Sequence, residues 1–417
     1  MERNDSPGMV PCASQIALAS SGQGLHGERV VPGRAATVNF SNCQFFVTCA
    51  KGTEGALRRE LVALRIHGPR GATGGVSFAG SFMDGMKVCL HSRVAMRVLL
   101  EIAAFPARDA DQLYAETRKI DWTEFVGRGM TIAVSATAQD NPNLSHSGFS
   151  ALKIKDAVVD MLRDRSGCRP DVNPRDPDVS IVLHLRGAEA RLFVDLAGEP
   201  LHRRGYRVAM VDAPLKESLA AAVLSLGGVP TDKPFVDPMA GSGTLAIEHA
   251  LAARGIAPGL RRRFGFERWV TPEQRKIWET LVKSASEGVR ASAPCPILAR
   301  DIDKAAIAAA RKNAEAAGVQ SDITFEVGDV ADLVRRPPAG TLCTNPPYGE
   351  RLESSASGAD VERVYASLAR ALDGLGGWRA VFLAGNPIFA KALRRRPSIS
   401  HRLWNGPIEA RLFVFDL

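Results

Sequence analysis

The chain has 417 residues, 45% apolar and 24% charged, an ordinary globular composition with room for two or three domains. Its seven cysteines are odd in number and form no CxxC pair, which argues against a zinc or other metal site or a disulfide framework and for reduced thiols in the cytoplasm. No apolar run reaches the roughly 18 residues of a membrane-spanning helix, the start lacks a secretory signal, and a net charge of +8 leaves a polyanionic partner open.

Residues 1–43, rich in Ser, Gly and Ala without a period, read as a disordered leader. From Gln44 to about Pro106, strand and helix patterns alternate in a small α+β unit. "QFFVTCA" is strand-like, Leu57, Leu61 and Leu64 share one helix face, and "VAMRVLLEIAAF" reads as a buried strand. A second unit, 107–205, opens with the strand "MTIAVSATAQ". An amphipathic helix follows, with Leu152, Val158, Val159 and Leu162 apolar and Gly167 as its stop. Two strands joined by a turn at Gly187 to Glu189 complete the unit.

The third unit, 206–417, starts with a helix opened by Pro214 and stopped by Gly227. Strands then alternate with helices, interrupted by one basic insert. "PFVDPMAGSGTLAIEHALAARG" is strand, glycine turn and helix. "PILARDIDKAAIAAARKNAEAAG" repeats the order, with Asp303 as cap and Gly318 as stop. "ITFEVGD" and "TLCTNPPY" supply two more strands, a helix spans about Val361 to Leu372, and a hairpin turns at Gly406-Pro407. This order predicts an α/β fold whose mostly parallel sheet has an antiparallel edge.

The chemistry concentrates at the strand ends. In "DPMAGSGT", Gly241 and Gly243 lack side chains and let the backbone approach a ligand, although a glycine turn by itself is equally a tight turn. No GK[ST] follows, so a phosphate-cradling P-loop is excluded, and Asp237 suits a cationic amino group better than a pyrophosphate. Asp301 ends the second strand, where a carboxylate can accept both hydroxyls of a ribose; Asp303 reads first as a helix cap. Asp329 ends the third strand, either as a solvated loop residue or as an acceptor for an adenine amine. Acidic groups at three successive strand ends fit a nucleoside lying across the sheet edge. In "TNPPYGERL" the prolines end the fourth strand in a rigid turn. The Asn345 amide oxygen and the Pro346 carbonyl can accept from an exocyclic NH₂, and Tyr348 can stack on a flipped base.

"DPMAGSGT" followed by "NPPY" resembles the class I S-adenosylmethionine-dependent methyltransferases that act on exocyclic amino groups. "NPPYGERL", "LHRRGYR…APLKESLAAA" and "GFSALKIKDAVVDML" are similar to the THUMP-domain RNA methyltransferases, particularly the bacterial large-subunit ribosomal RNA guanine-N2 methyltransferases. The likeness covers about Gln44 to Leu417, with Ala240 standing where that family often has cysteine. It implies a ferredoxin-like module at 44–106, a THUMP RNA-binding domain at 107–205 and a Rossmann-like catalytic domain at 206–417. It implies that S-adenosyl-L-methionine is held by Asp237, Ala240, Gly241, Gly243, Thr244, Asp301, Ile302, Asp329 and Val330. Asn345, Pro346, Pro347 and Tyr348 would meet the target base. Some members carry a second methyltransferase domain, which a chain stopping at Leu417 is expected to lack.

Lys153, Lys155, Arg203, Arg204, Arg207 and the run Arg261 to Arg263 are candidate contacts to RNA phosphates, each with the alternative of a solvated surface group. The expected partner is ribosomal RNA or its precursor; transfer RNA stays open as a guanine-N2 substrate. The rivals are a methyltransferase acting on a glutamine side chain, a DNA adenine methyltransferase, and a catalytically silent RNA-binding or ribosome-assembly factor. Phe264, Phe266 and Trp269 are expected to pack the basic insert.

Overall fold

The computed structural model describes residues 40–210, 215–333, 339–348 and 358–417, so most of the expected leader lies outside the described residues. Phe40 already packs edge-on against Phe82 and Phe125 at 5.2 and 6.4 Å, and Cys43 opens the first strand. The folded chain therefore begins ahead of Gln44.

In chain order, β1 (Cys43–Thr48), α1 (Glu54–Ala63), β2 (Arg70–Ala72), β3 (Gly75–Gly80), α2 (Phe82–His91) and β4 (Arg97–Pro106) come first. They are followed by α3 (Ala110–Arg118), β5 (Thr131–Gln139), α4 (Ser147–Ser166), β6 (Asp171–Val172), β7 (Val179–Arg186) and β8 (Glu189–Asp195). The sequence divides these elements into two units after Pro106, yet they share one eight-stranded sheet ordered β2-β3-β1-β4-β8-β7-β5-β6. The join is the long strand β4. It pairs with β1 along one edge and with β8 along the other, bulging between Glu101 and Ala103. A capping box starts α2, in which Ser81 and Asp84 satisfy each other's backbone N–H. Gly167 ends α4 in the left-handed region, at a φ of 68°. That helix buries Ile154, Val158, Val159 and Leu162, whereas Leu152, expected on the same face, is 50% exposed.

The remaining elements are α5 (Glu217–Leu226), β9 (Phe235–Asp237), α6 (Thr244–Ala253), α7 (Pro272–Glu287), β10 (Ile297–Asp301), α8 (Lys304–Ala317) and β11 (Ile323–Val327). After them come β12 (Thr341–Thr344), α9 (Gly358–Asp373), β13 (Arg379–Ala384), α10 (Phe389–Ala392), β14 (Ile399–Asn405) and β15 (Ile408–Asp416). Pro214, the expected start of α5, lies outside the described residues; Lys216 is the cap. The second sheet runs β11-β10-β9-β12-β13-β15-β14. Its first five strands are parallel, and β15 and β14 close it antiparallel, as the sequence predicts. The chain moves outward from β9 to β11 and then returns to the other side of β9 as β12. Such a reversal opens a crevice at the carboxyl ends of the two central strands.

The two sheets are locked together by the connection between them. Arg204 is 5% exposed and forms a buried ion pair with Glu248 of α6 through its Nε, at 3.0 Å. Its terminal nitrogens donate to the carbonyls of Leu201 and Arg93, and the Tyr206 hydroxyl donates to the same Glu248 carboxylate at 3.0 Å. Arg93, in the loop leading into β4 of the first sheet, in turn donates to the carbonyls of Leu251 within α6 and Ile256 just beyond it. Removing one partner of a buried pair strands the other charge, at about 3–5 kcal/mol. Arg204→Ala is accordingly expected to cost about 3–5 kcal/mol in urea unfolding, whereas the exposed Arg203→Ala should stay within about 0.5 kcal/mol of the parent.

Candidate functional site

Strand β9 and its neighbours bring the acidic residues to one edge. Asp237 ends β9, Asp301 ends the adjacent β10, and Asp329 lies just beyond β11. On the other flank of β9, β12 delivers Asn345. Residues far apart in the chain thus surround the crevice because parallel strands all end on the same side.

Each carboxylate is oriented by the backbone around it. Asp301 accepts from Gly241 N–H at 2.8 Å through Oδ2 and from Asp303 N–H at 3.0 Å through Oδ1. The glycine loop is thereby tied to the end of β10, and each oxygen keeps a lone pair for a diol. Asp303 caps α8 through Ala305 N–H at 2.8 Å, the role the sequence gives it first. Asp329 is half-buried and accepts from Ala331 N–H. Ile302 is 69% exposed beside the site, and Val330 is buried.

The glycine loop wraps over Asp237. Gly241 and Gly243 have φ of 53° and 84°, and Gly243 forms the left-handed entry to α6. A Cβ on Gly243 would stand 2.9 Å from that of Ala310 in α8, so the loop can lie against that helix only with glycine there. Asp237 is 1% exposed and accepts from Thr344 Oγ1 at 2.7 Å and from Met239 N–H at 3.3 Å. Burial pushes its pKa up to about 7, against the pull of the two hydrogen bonds, and the nearby Asp301 pushes the same way.

The turn after β12 is braced by tyrosines. The Tyr348 hydroxyl donates to Asn345 Oδ1 at 2.7 Å, and the Tyr365 hydroxyl donates to the Pro347 carbonyl at 2.6 Å. Asn386 Nδ2 holds the Tyr348 carbonyl at 3.0 Å. The expected stacking face is not open. Tyr348 is 8% exposed, and its ring lies so close to Gly385 that a Cβ there would approach it to 2.5 Å. The ring is core, and its hydroxyl aligns the Asn345 amide. Asn345 is half-buried, and its oxygen retains a second lone pair.

Residues 204–412 match the RMKL-like methyltransferase domain, residues 107–195 the THUMP domain, and residues 44–99 the RlmL ferredoxin-like domain. The chain belongs to the RMKL-like methyltransferase family. It is 42% identical over 387 residues to the ribosomal RNA large subunit methyltransferase K/L of Syntrophotalea carbinolica, covering 90% of this chain and 53% of that protein. The chain thus spans about half the length of the curated relatives it matches. Among solved structures, a possible methylase from Clostridium difficile 630 has a TM-score of 0.82 and 30% identity over 90% of this chain and 98% of its own. SMU.472 complexed with SAH is equally close in fold, at a TM-score of 0.82 and 28% identity, with the same coverage of both chains.

In this RMKL-like methyltransferase the basic candidates separate. Arg204 is no phosphate contact, because the buried pair with Glu248 consumes it. Arg207 also turns inward: it pairs with Glu217 at 3.0 Å and donates to Ser242 Oγ, Thr244 Oγ1 and the Leu215 carbonyl. Arg262 clamps the carbonyls of Ala197, Glu199 and Pro200, and Arg261 donates to that of Ala316. Arg203 and Arg263 are exposed, although Arg203 lies 3.3 Å from Glu199. On α4, Lys155 pairs with Asp156, and Lys153 sits 5.7 Å from the ring centre of the exposed Phe149. Phe264 and Phe266 are buried against Trp278, as expected of residues packing the insert. Thr344 and Asn313 escaped the sequence reading. Asn313 Oδ1 accepts from the N–H groups of Val208 and Ala209, and its Nδ2 donates to the Ala209 and Ser242 carbonyls.

The buried Asp237 makes stability depend on pH with a definite sign. Its folded pKa lies above the ordinary aspartate value of 3.8, so stability is full below about 4 and falls as pH rises towards about 7. Asp237→Asn keeps an acceptor for Thr344 without the buried charge. The variant should match the parent near pH 4 and exceed it at pH 8, by up to about 4 kcal/mol in denaturant titrations. Equal stability at both pH values would show that the carboxylate does not titrate there.

Proposed function

We propose that the chain is an S-adenosyl-L-methionine-dependent RNA methyltransferase acting on an exocyclic amino group, guanine N2 of large-subunit ribosomal RNA. One observation carries the reading: three strand-end carboxylates on one flank of the crevice face an asparagine held in a tyrosine-braced turn on the other. The edge suits a ligand that is cationic at one end and rich in hydroxyl and amine donors at the other. A polyphosphate would be repelled by the three carboxylates there. The names of the curated relatives support ribosomal RNA as substrate, and the complex of SMU.472 with SAH supports the cofactor.

The residues fit that cofactor in kind. Asp237 provides negative charge beneath the glycine loop for an ammonium. Asp301 would offer lone pairs to the ribose hydroxyls, with Ile302 alongside, and Asp329 with Val330 would hold the adenine. Bound S-adenosyl-L-methionine supplies an electrophilic methyl group. The protein's task is to present a nitrogen in line with it, at roughly 3–3.5 Å. Asn345 Oδ1 and the Pro346 carbonyl accept the two amine hydrogens, which favours the pyramidal nitrogen that forms as its lone pair engages. The Tyr348 hydroxyl takes one lone pair of the Asn345 oxygen and leaves the other for the substrate amine. No strong base is required, since an alkylated amine is acidic.

Asn345→Ala is expected to lower single-turnover methyl transfer by about 100-fold while cofactor affinity changes by less than about threefold. Asp301→Ala should weaken the cofactor by about tenfold or more, because a charged acceptor is lost. Isothermal titration with S-adenosylhomocysteine separates the two. Equal losses of affinity in both variants would remove the division of roles. Nucleoside mass spectrometry of ribosomal and transfer RNA, with and without the protein, tests the substrate. N2-methylguanosine that depends on the protein only in transfer RNA would move the assignment there, and no dependent nucleoside would favour a silent RNA-binding factor.

A further inference from the structure

Thr344 belongs to neither half of the site in the sequence, yet it touches both. It is the last residue of β12, fully buried, and immediately precedes Asn345. Its hydroxyl donates to Asp237 Oδ1 at 2.7 Å, across 107 residues of chain. Strands β9 and β12 pair through Thr341 and Leu342 only, so beyond that register this side-chain bond joins their carboxyl ends. We propose that Thr344 is a positioning residue that couples cofactor capture to seating of the base-binding turn. An ammonium in the glycine loop keeps Asp237 ionised, the ionised carboxylate grips the Thr344 hydroxyl, and that grip fixes the backbone from which Asn345 projects. This inference rests on the assignment of Asp237 to the cofactor's ammonium.

The chemistry of the pair supports a coupled element. A hydrogen bond to an ionised carboxylate is roughly twice as strong as one to its neutral form, so the turn is held more tightly when Asp237 is charged. With no ligand the carboxyl has a pKa of about 7, and its charge is then partial near neutrality. The groups around it do not supply the missing cation. Asp301 on β10 repels the charge, Cys343 on β12 is a buried thiol whose own pKa is pushed well up, and His249 on α6, stacked on Phe235 at 4.2 Å, is held neutral by burial. A cationic ligand is therefore the natural trigger. Coupling is reciprocal: whatever seats the turn also favours the charged carboxylate and hence the cofactor.

The test uses the full chain with S-adenosylhomocysteine, which keeps the ammonium but has no methyl to transfer. Affinity is measured by calorimetry from pH 5.5 to 8.5 for the parent, Thr344→Ser, Thr344→Val and Asp237→Asn. Hydrogen exchange of the peptide spanning 343–350 is followed with and without ligand. Thr344→Ser should behave as the parent. Thr344→Val should weaken S-adenosylhomocysteine about tenfold at pH 7, shift the midpoint of its pH dependence up by about one unit, and abolish the ligand-induced slowing of exchange. Should the buried valine prevent folding, Thr344→Ala removes the hydroxyl with less bulk. The proposal is overturned if the variants without the hydroxyl keep the parental midpoint and exchange response while Asp237→Asn flattens the pH dependence. If Asp237→Asn itself keeps the parental affinity and pH profile, the ammonium assignment fails instead, and the coupling fails with it.

Discussion

Both halves of the site depend on a three-residue strand. β9 is buried along its whole length and ends in a carboxylate that water cannot reach. Its parallel neighbours are β10 on one side and β12 on the other, and the chain arrives at them from opposite directions of travel. The reversal places a loop that needs glycine above Asp237 and a turn that needs proline beside it. A charged group at this position is costly to bury. Its cost is tempered by two donors, Thr344 and Met239, which belong to the two structures that must be aligned. The group proposed to recognise charge also ties together the two sides of the crevice.

The connection between the two sheets makes a second use of buried polarity. Arg204, Tyr206 and Glu248 tie the link to the back of α6, while Arg207 and Asn313 fasten its continuation to the glycine loop through Ser242 and Thr244. The glycine loop is thus supported from below by the sheet and from the side by the link. Through Arg93, the first sheet reaches the same helix that the loop starts. The first sheet and the crevice of the second are consequently joined by hydrogen bonds, not by a slack tether.

Much of this was legible in the sequence, where local pattern and global role agree. The strand-end acids, the glycine turn, the caps at Asp303 and Gly318, and the closing hairpin all follow from short-range rules. α3 and α7 were not legible: they are mostly polar, and α7 buries only Trp278 among its sixteen residues. The fusion of the first two units depends on β4 pairing at both edges, which alternation alone does not reveal. Arg204 reads like any member of a basic run until Glu248, 44 residues later, is brought against it. Thr344 likewise looks like a strand terminus, because its partner is set by sheet order.

Tyr348 shows how burial can overturn the role expected of an aromatic turn residue. An aromatic residue in a polar turn suggests a platform for a base, but the glycine at 385 lets the ring sink against β13 and into the core. What remains for recognition is its hydroxyl, acting through Asn345. With the Tyr348 hydroxyl donating to Oδ1, the amide oxygen lies on the tyrosine side and keeps one further lone pair. The proposed preference for an exocyclic amine rests on this contact, since a base edge presenting oxygen there would face the Asn345 oxygen, lone pair against lone pair.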